Sequence, residues 1–490
     1  MSESERGVVA AGHPLTAQAG ARVLREGGNA IDAALAAMFT SFVSEQLLTG
    51  LGAGGYMLVA GGGLEPTLLD FFVQAPTRAA DGSEVELQAI DVSFGDAHQV
   101  FYVGPASCGV YGVPAGVCEA ARRWGTVPLE ELAAPAVRLA RDGVMLNSSQ
   151  AYVAEILADL LTSTPECAAL WAPEGHVLRE GGVLRNPELA DALVRLAREG
   201  EEPFYSGDVA AAVCAWLAER GGSVRGTDLA GYHALERQPV QMPYRDRLIL
   251  TNPPPSAGGT LLAYALALLD RAPAPPSLGA VVEAMAAAQA ERTPEFVDGL
   301  DQPEFAEHFL ASRLGSTTHV SVIDSHGCAC SVTCTNGEGS GVVVPGTGIH
   351  LNNVMGEQDL NPLGFHLHPA GRRMPSMMAP SVVLHEGEVE LVLGSAGSNR
   401  IRSAILQTIV GVVDHGLSVH AAVEAPRVHF EDGVVFAEPG IAAEQLGGER
   451  EIVHFGALNL FFGGVQAVMR QGSQIAGAGD PRRGGVAVSA

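Results

Sequence analysis

The sequence predicts a layered α/β protein, and three observations carry that prediction. Apolar residues in the first half recur at helical spacing, while those after Thr317 alternate along strands. The composition, 47% apolar against 17% charged, supplies a core large enough to join both halves. At about 100–200 residues per domain, a chain of 490 residues leaves the number of folding units open.

Leu15, Ala19, Val23 and Leu24 mark a first helix, stopped by Gly27-Gly28. Ile31, Ala34, Leu35, Met38, Phe39 and Phe42 mark a second, which is expected to end at Gly50-Leu-Gly-Ala-Gly-Gly55. That glycine stretch has the spacing of a dinucleotide-binding loop, but a helix precedes it and a strand, Tyr56 to Ala60, follows. A phosphate loop needs the opposite order, so that a helix N-terminus faces the pyrophosphate. Close backbone packing accounts for these glycines instead.

Helical text fills Gly112 to Gly143, and Phe204 to Gly222 reads as one amphipathic helix ended by Gly-Gly. Arg245 to Leu250 reads as a strand, Pro253 to Gly259 as a rigid turn, and Leu261 to Leu269 as an apolar helix. The Pro/Ala-rich, acidic stretch from Arg271 to about Phe309 is expected to be an exposed connector. Past it, His319, Ser321 and Ile323 alternate with Val320, Val322 and Asp324, and Cys328 to Thr335, Val342 to Val344, Ser381 to Leu384 and Val389 to Leu393 continue the strand pattern. Arg402 to Val413 returns to a helical period.

Fifty-five acidic residues face 29 basic ones, all arginine, for a net charge of −26. Nucleic acid and anionic membrane are thereby excluded as partners, because both need basic patches to displace counterions. The opening Met1-Ser-Glu-Ser-Glu-Arg6 lacks the basic start and apolar run of a secretory signal, and no apolar run approaches the ~20 residues of a membrane span. Seven cysteines, an odd number, fit a reducing compartment, and a cytoplasmic location is expected. Cys328-Ala-Cys330 with Cys334 alternates as a strand does, so these are read as buried thiols and no metal or other cofactor is expected.

The chemistry is concentrated in an ordered set of motifs. Gly315-Ser-Thr-Thr-His319 stands where the strands begin, followed by Thr335, Gly339-Ser-Gly-Val-Val-Val-Pro-Gly-Thr-Gly-Ile349, Leu351-Asn-Asn353, Arg373-Met-Pro-Ser-Met-Met-Ala-Pro380 and Gly394-Ser-Ala-Gly-Ser-Asn-Arg400. Ala17-Gln-Ala-Gly20, Gly28-Asn-Ala-Ile-Asp-Ala33, Phe462-Gly-Gly-Val465 and Asp480-Pro-Arg-Arg-Gly-Gly485 extend it over nearly the whole chain. This set resembles the γ-glutamyltransferase family of N-terminal-nucleophile hydrolases.

The resemblance implies a four-layer αββα sandwich and a precursor that cuts itself between Ser316 and Thr317. The fragments, residues 1–316 and 317–490, would stay associated as one intertwined unit, with further oligomerisation left open. A threonine hydroxyl is a poor nucleophile without an adjacent base, and the freed α-amine of the same residue, with a pKa of about 7.7–8.0, supplies one. By position, Thr335 would orient the Thr317 hydroxyl, and the N–H groups of Gly397 and Ser398 would form the oxyanion hole, although the family usually has a second glycine at Ser398. His319 shares a strand face with Thr317 but is expected to pack rather than react, and Asp32 to cap a helix.

The acyl pocket departs from the family. Phe72 stands where an arginine should hold the substrate α-carboxylate. Gly337, Val354 and Glu357 stand where acidic or amide side chains hold the α-amino group, and only Glu357 is able to do so. The paired serines become Ser376 and Met377. Losing the guanidinium removes on the order of 1.5–3 kcal/mol of charge-assisted bonding. The leading expectation is a self-processing Thr hydrolase or acyltransferase acting on a small molecule with a less zwitterionic acyl group. Three alternatives stand beside it. One is ordinary γ-glutamyl transfer, with Arg78, Arg372, Arg373 or Arg400 replacing the lost arginine. Another is C–C bond hydrolysis of the kind that family relatives perform in 4-alkylproline antibiotic biosynthesis. The last is an unprocessed scaffold without catalysis.

Overall fold

The computed structural model describes residues 6–77, 86–93, 98–291, 317–358, 360–361, 364–397, 399–448 and 450–490. Two sheets lie face to face at its centre. One has seven strands, in spatial order Val486–Ser489, Gly7–Ala11, Thr318–Asp324, Ala329–Thr335, Gly54–Gly61, Leu64–Phe71 and Leu235–Arg237. The other has six: Gln474–Gly479, Gly464–Gln471, Glu388–Ala396, Ser381–His385, Arg247–Thr251 and Val240–Tyr244. Pro14–Arg25 and Ala30–Ser44 cover the outer face of the first sheet, and Ala257–Asp270 and Arg400–Val413 that of the second, which completes the αββα order.

Strand alternation explains how the layers are held. Along Thr318–Asp324, Val320 and Val322 join the apolar cluster under the Ala30–Ser44 helix, while Ile323 joins the cluster between the sheets. Every residue of that strand is buried, as expected for a strand covered on both faces. The helix Ala30–Ser44 is itself wholly buried, which is why its sequence is apolar on all sides. A capping box starts it: Asn29 accepts the N–H groups of Ile31 and Asp32, and Asp32 accepts that of Asn29 at 3.0 Å. Asp32 also accepts the backbone N–H groups of Thr126 and Val127, so it caps and ties, as expected.

The seven-stranded sheet interleaves the two halves of the chain. Gly7–Ala11 pairs on one side with Thr318–Asp324 and on the other with Val486–Ser489, and Ala329–Thr335 pairs with Gly54–Gly61. A backbone break before Thr317 would therefore leave the halves joined by ladders of hydrogen bonds.

Several expectations are corrected. The segment from Arg271 is no open connector throughout: Leu278–Ala290 is a helix that buries Val281, Val282 and Met285, started by the Ser277 side chain, while residues 292–309 lie outside the described residues. The helix expected over Phe204 to Gly222 is two, Glu202–Tyr205 and Asp208–Ala218, separated at Gly207. The second helix stops at Ser44, and Glu45 to Leu48 form turns before the glycines. Those glycines do serve close approach: a Cβ at Gly52 would stand 2.4 Å from the carbonyl oxygen of His350. Cys330 and Cys334 lie buried in Ala329–Thr335 with Cys328 buried just before it, all seven cysteines are free thiols, and among the described residues no three His, Cys, Asp or Glu side chains converge as metal ligands would.

Candidate active site

Thr317 stands immediately ahead of the strand Thr318–Asp324 and is 1% exposed. The antiparallel register pairs Thr318 with Cys334. Carried one residue further, it sets Thr317 across from Thr335. The Thr335 hydroxyl oxygen accepts the Gly337 N–H at 2.8 Å, which fixes the side chain at the strand end. Gly337 has φ +65°, and a Cβ there would stand 2.1 Å from Oδ1 of Asn353 and 2.4 Å from Oε1 of Glu357, so only glycine brings these groups together. Asn336 and Asn353 are fully buried beside it, and their side-chain amides have no hydrogen-bond partner among the described residues. Such groups cost about 1–3 kcal/mol each when left unpaired, so the corner is suited to polar ligand atoms.

Of the other positions expected to line an acyl pocket, Phe72, Val354 and Met377 are apolar and packed, and Ser376 is hydrogen-bonded. Phe72, Val354 and Met377 belong to one core cluster, and the Phe72 ring stacks on Tyr56 with centroids 5.5 Å apart. Ser376 accepts the Met378 N–H on its hydroxyl and the Ser256 hydroxyl on its carbonyl. Arg373, one of the arginines expected as a possible replacement for the lost one, is engaged by its own neighbours. Its guanidinium is 3.3 Å from Asp70 and donates to the carbonyl oxygens of Phe72 and His233, behind the Phe72 backbone. Arg400 donates to the Phe461 carbonyl and lies over the Phe461 ring. Arg78 lies outside the described residues.

Gly397 follows the strand Glu388–Ala396 with φ +113°, and a Cβ there would meet Gly463 Cα at 2.8 Å and Arg483 Nη2 at 3.0 Å. Its neighbour Ser398 and the residue before the candidate nucleophile, Ser316, lie outside the described residues. A cavity of about 260 Å³ opens at this point, with Thr317, Thr318, Ala396, Arg483 and Glu45 on its wall.

Three charged or titratable groups shape the field here. Glu45 accepts the hydroxyls of Thr16 at 2.7 Å and Thr318 at 2.5 Å; burial holds its carboxyl above the usual carboxylate range, and those two bonds oppose the shift. Burial, with Arg400 nearby, pushes the Arg483 guanidinium down to about 10, so it keeps its charge at neutral pH. His319 packs, as expected: Nδ1 bonds Thr333 at 2.8 Å and Nε2 bonds Ser321 at 2.9 Å, and burial lowers its pKa to about 3.

Sequence reasoning missed Glu45 and Arg483 as parts of this wall. Glu45 carried one signal, an acid closing an otherwise apolar helix. Arg483 sits in the quoted Asp480 to Gly485 motif, and nothing in its spacing points across to Gly397.

Comparison with known proteins agrees with this fold. The family described as Gamma-glutamyltranspeptidase matches residues 16–490. The chain is 33% identical to the Acylase ACY 1 proenzyme of Pseudomonas sp. (strain SE83), over 90% of this chain and 85% of that one. It is 30% identical to the Glutathione hydrolase proenzyme of Escherichia coli (strain K12), over 98% and 91%. The crystal structure of cephalosporin acylase from Bacillus halodurans superimposes with a TM-score of 0.84 at 27% identity, covering 99% of this chain and 96% of that one. With the αββα sandwich, the register that opposes Thr317 and Thr335, and a family match over nearly its whole length, the chain belongs to the gamma-glutamyltranspeptidase family of enzymes.

Proposed function

We propose that the chain is a self-processing hydrolase or acyltransferase whose nucleophile is Thr317 and whose acyl pocket has been retuned away from a free γ-glutamyl head. In processing, the Thr317 hydroxyl attacks the Ser316 carbonyl, the peptide bond passes to an ester, and water opens it, leaving residues 1–316 and 317–490 associated. The liberated α-amine then takes the proton from the same hydroxyl as it attacks a small-molecule acyl carbonyl. The N–H groups of Gly397 and Ser398 hold the resulting oxyanion. Collapse expels the leaving group with a proton from the amine, and water or an acceptor amine releases the acyl group from Thr317.

The observation that carries the retuning is the packing of Phe72. It fills the place of the carboxylate-binding arginine, while Arg373 is committed to Asp70 and to the Phe72 and His233 carbonyls. The polar corner of Asn336, Asn353 and Glu357 remains beside Gly337, so the pocket keeps groups for a polar or amine-bearing acyl portion without the carboxylate clamp. The proenzyme names of the Pseudomonas and Escherichia coli relatives and the strands shared between the halves support the self-processing part. Free thiols throughout support a reducing, cytoplasmic setting.

Gel electrophoresis and N-terminal sequencing test the chemistry: the wild-type chain divides before Thr317, and Thr317→Ala does not. Fragments still beginning at residue 317 in that variant would overturn the nucleophile. Kinetics with γ-glutamyl-4-nitroanilide test the pocket. Slow release, with no competition by glutamate, is expected; efficient release with glutamate competing would restore ordinary γ-glutamyl transfer.

A further inference from the structure

The cavity at Thr317 includes none of the acyl-pocket positions Phe72, Gly337, Val354, Glu357, Ser376 and Met377 on its wall. Its two ends differ in chemistry. At the Thr317 end are Glu45, bonded to Thr318, and Arg483, beside Gly397. At the other end are Leu47, Leu146, Trp171 and Leu184, members of a separate apolar cluster that the helical segment Ser148–Trp171 helps to enclose.

The mouth is apolar as well. Tyr152 and Leu458 line the cavity while 38% and 54% exposed. Exposed apolar side chains on the wall of a cavity mark a place where apolar matter enters.

From this we infer that the cavity is a binding site for the leaving-group side of the substrate, and that it takes an uncharged alkyl or aryl group. The inference rests on the proposed reading, in which the acyl portion occupies the Gly337 and Glu357 corner and the scissile carbonyl lies at Thr317. The group beyond the scissile bond then has this cavity to enter. The charged side chains on the wall, Arg482, Arg483 and the acid Glu45, are not among Leu47, Leu146, Trp171 and Leu184, so among the described residues the apolar end has no counter-charge for a charged leaving group.

The test uses N-alkylacetamides from butyl to dodecyl, titrated into the full-length chain while following tryptophan fluorescence, because Trp171 lies on the wall. Affinity should rise about fourfold with each methylene until the cavity is full and then level off. Trp171→Phe should remove the signal. Val153→Phe, which narrows the wall, should move the plateau to shorter chains. A response independent of chain length, or an unmoved plateau in Val153→Phe, would overturn the site. The side of the bond is tested in the divided enzyme with two amide series: one holds an acetyl group and lengthens the amine, the other holds 4-nitroaniline and lengthens the acyl chain. Length dependence confined to the first supports the assignment, and length dependence in the second overturns it. Division is read separately by gel electrophoresis, so failure of the Thr317 chemistry, read as failure to divide, is separable from failure of the cavity, read as binding that does not depend on chain length.

Discussion

Thr318 donates its hydroxyl proton to Oε2 of Glu45 at 2.5 Å and so joins the residue after the candidate nucleophile to the turn that closes the helix Ala30–Ser44. The other carboxylate oxygen accepts Thr16 at 2.7 Å, so one buried acid fastens two helices to the start of one strand.

Its removal should be felt in both processing and stability. Glu45→Ala releases Thr318 and should slow division of the chain about tenfold or more, because small misplacements of a reacting group cost that much. Glu45→Gln keeps one acceptor and should slow it far less. Burial raises the carboxyl pKa in the folded chain, whereas the unfolded carboxyl titrates near 4.3. Above that pH the folded state holds more protons than the unfolded one, so the contribution of Glu45 to stability falls as pH rises through the folded pKa. Thermal midpoints should therefore favour Glu45→Gln over wild type more at pH 7.5 than at pH 4. A difference that does not change with pH would show that Glu45 ionises normally.

Thr335 gives a second, sharper separation of roles. Its hydroxyl accepts the Gly337 N–H, and a hydrogen bond of this kind contributes about 0.5–1.5 kcal/mol. Thr335→Ala should lower the unfolding free energy by about that amount, and Thr335→Ser should restore it. If the same hydroxyl also orients Thr317, division of Thr335→Ala should slow well beyond what the stability loss explains, with Thr335→Ser recovering most of the rate. Stability loss with a normal division rate would leave Thr335 an ordinary strand residue.

How much was legible in the sequence follows from where the information was local. Strand alternation after Thr317 and the helix periods before Ser44 depend on neighbouring residues, and both elements appear with nearly the expected bounds. The helix Leu278–Ala290 was hidden because its Ala-rich text has little amphipathic contrast and follows a Pro-rich stretch. The site was legible only as far as motifs named it: Thr317, Thr335 and Gly337 converge through strand register, which alternation implies. Glu45 and Arg483 were illegible because what places them at Thr317 is the tertiary meeting of segments hundreds of residues apart.

His319 predicts an acid limb that belongs to stability and not to catalysis. The unfolded imidazole titrates near 6.5, while the folded one is held neutral down to about 3 by burial between Thr333 and Ser321. Below pH 6.5 the unfolded state binds the extra proton, so stability contributed by the neutral ring is lost as pH falls from 6.5 toward 3. At pH 5 the loss is on the order of 2 kcal/mol. Denaturant unfolding at pH 7 and pH 5 should record a drop in wild type, to which buried His13 and His350 also contribute, and a drop in His319→Gln smaller by about that amount. The activity profile should instead turn near the α-amine range of about 7.7–8.0, and it should keep that midpoint in His319→Gln. A midpoint that moves with His319 would make the imidazole the base.

Phe72→Arg asks whether the lost clamp can be restored by one substitution. The ring is fully buried against Tyr56, and the Phe72 carbonyl is already the acceptor for both Arg373 and the Tyr232 hydroxyl. Asp70, the one carboxylate bonded in this segment, is already matched by Arg237 at 2.6 Å and Arg373 at 3.3 Å. A third guanidinium would enter an apolar slot with no free counter-charge beside it, at an effective cost of several kcal/mol. The expected result is a lower melting temperature or loss of soluble protein, without faster hydrolysis of γ-glutamyl-4-nitroanilide. A gain in that activity at unchanged stability would mean that the arginine is the change that matters most at this site, despite Met377 standing in place of the second serine.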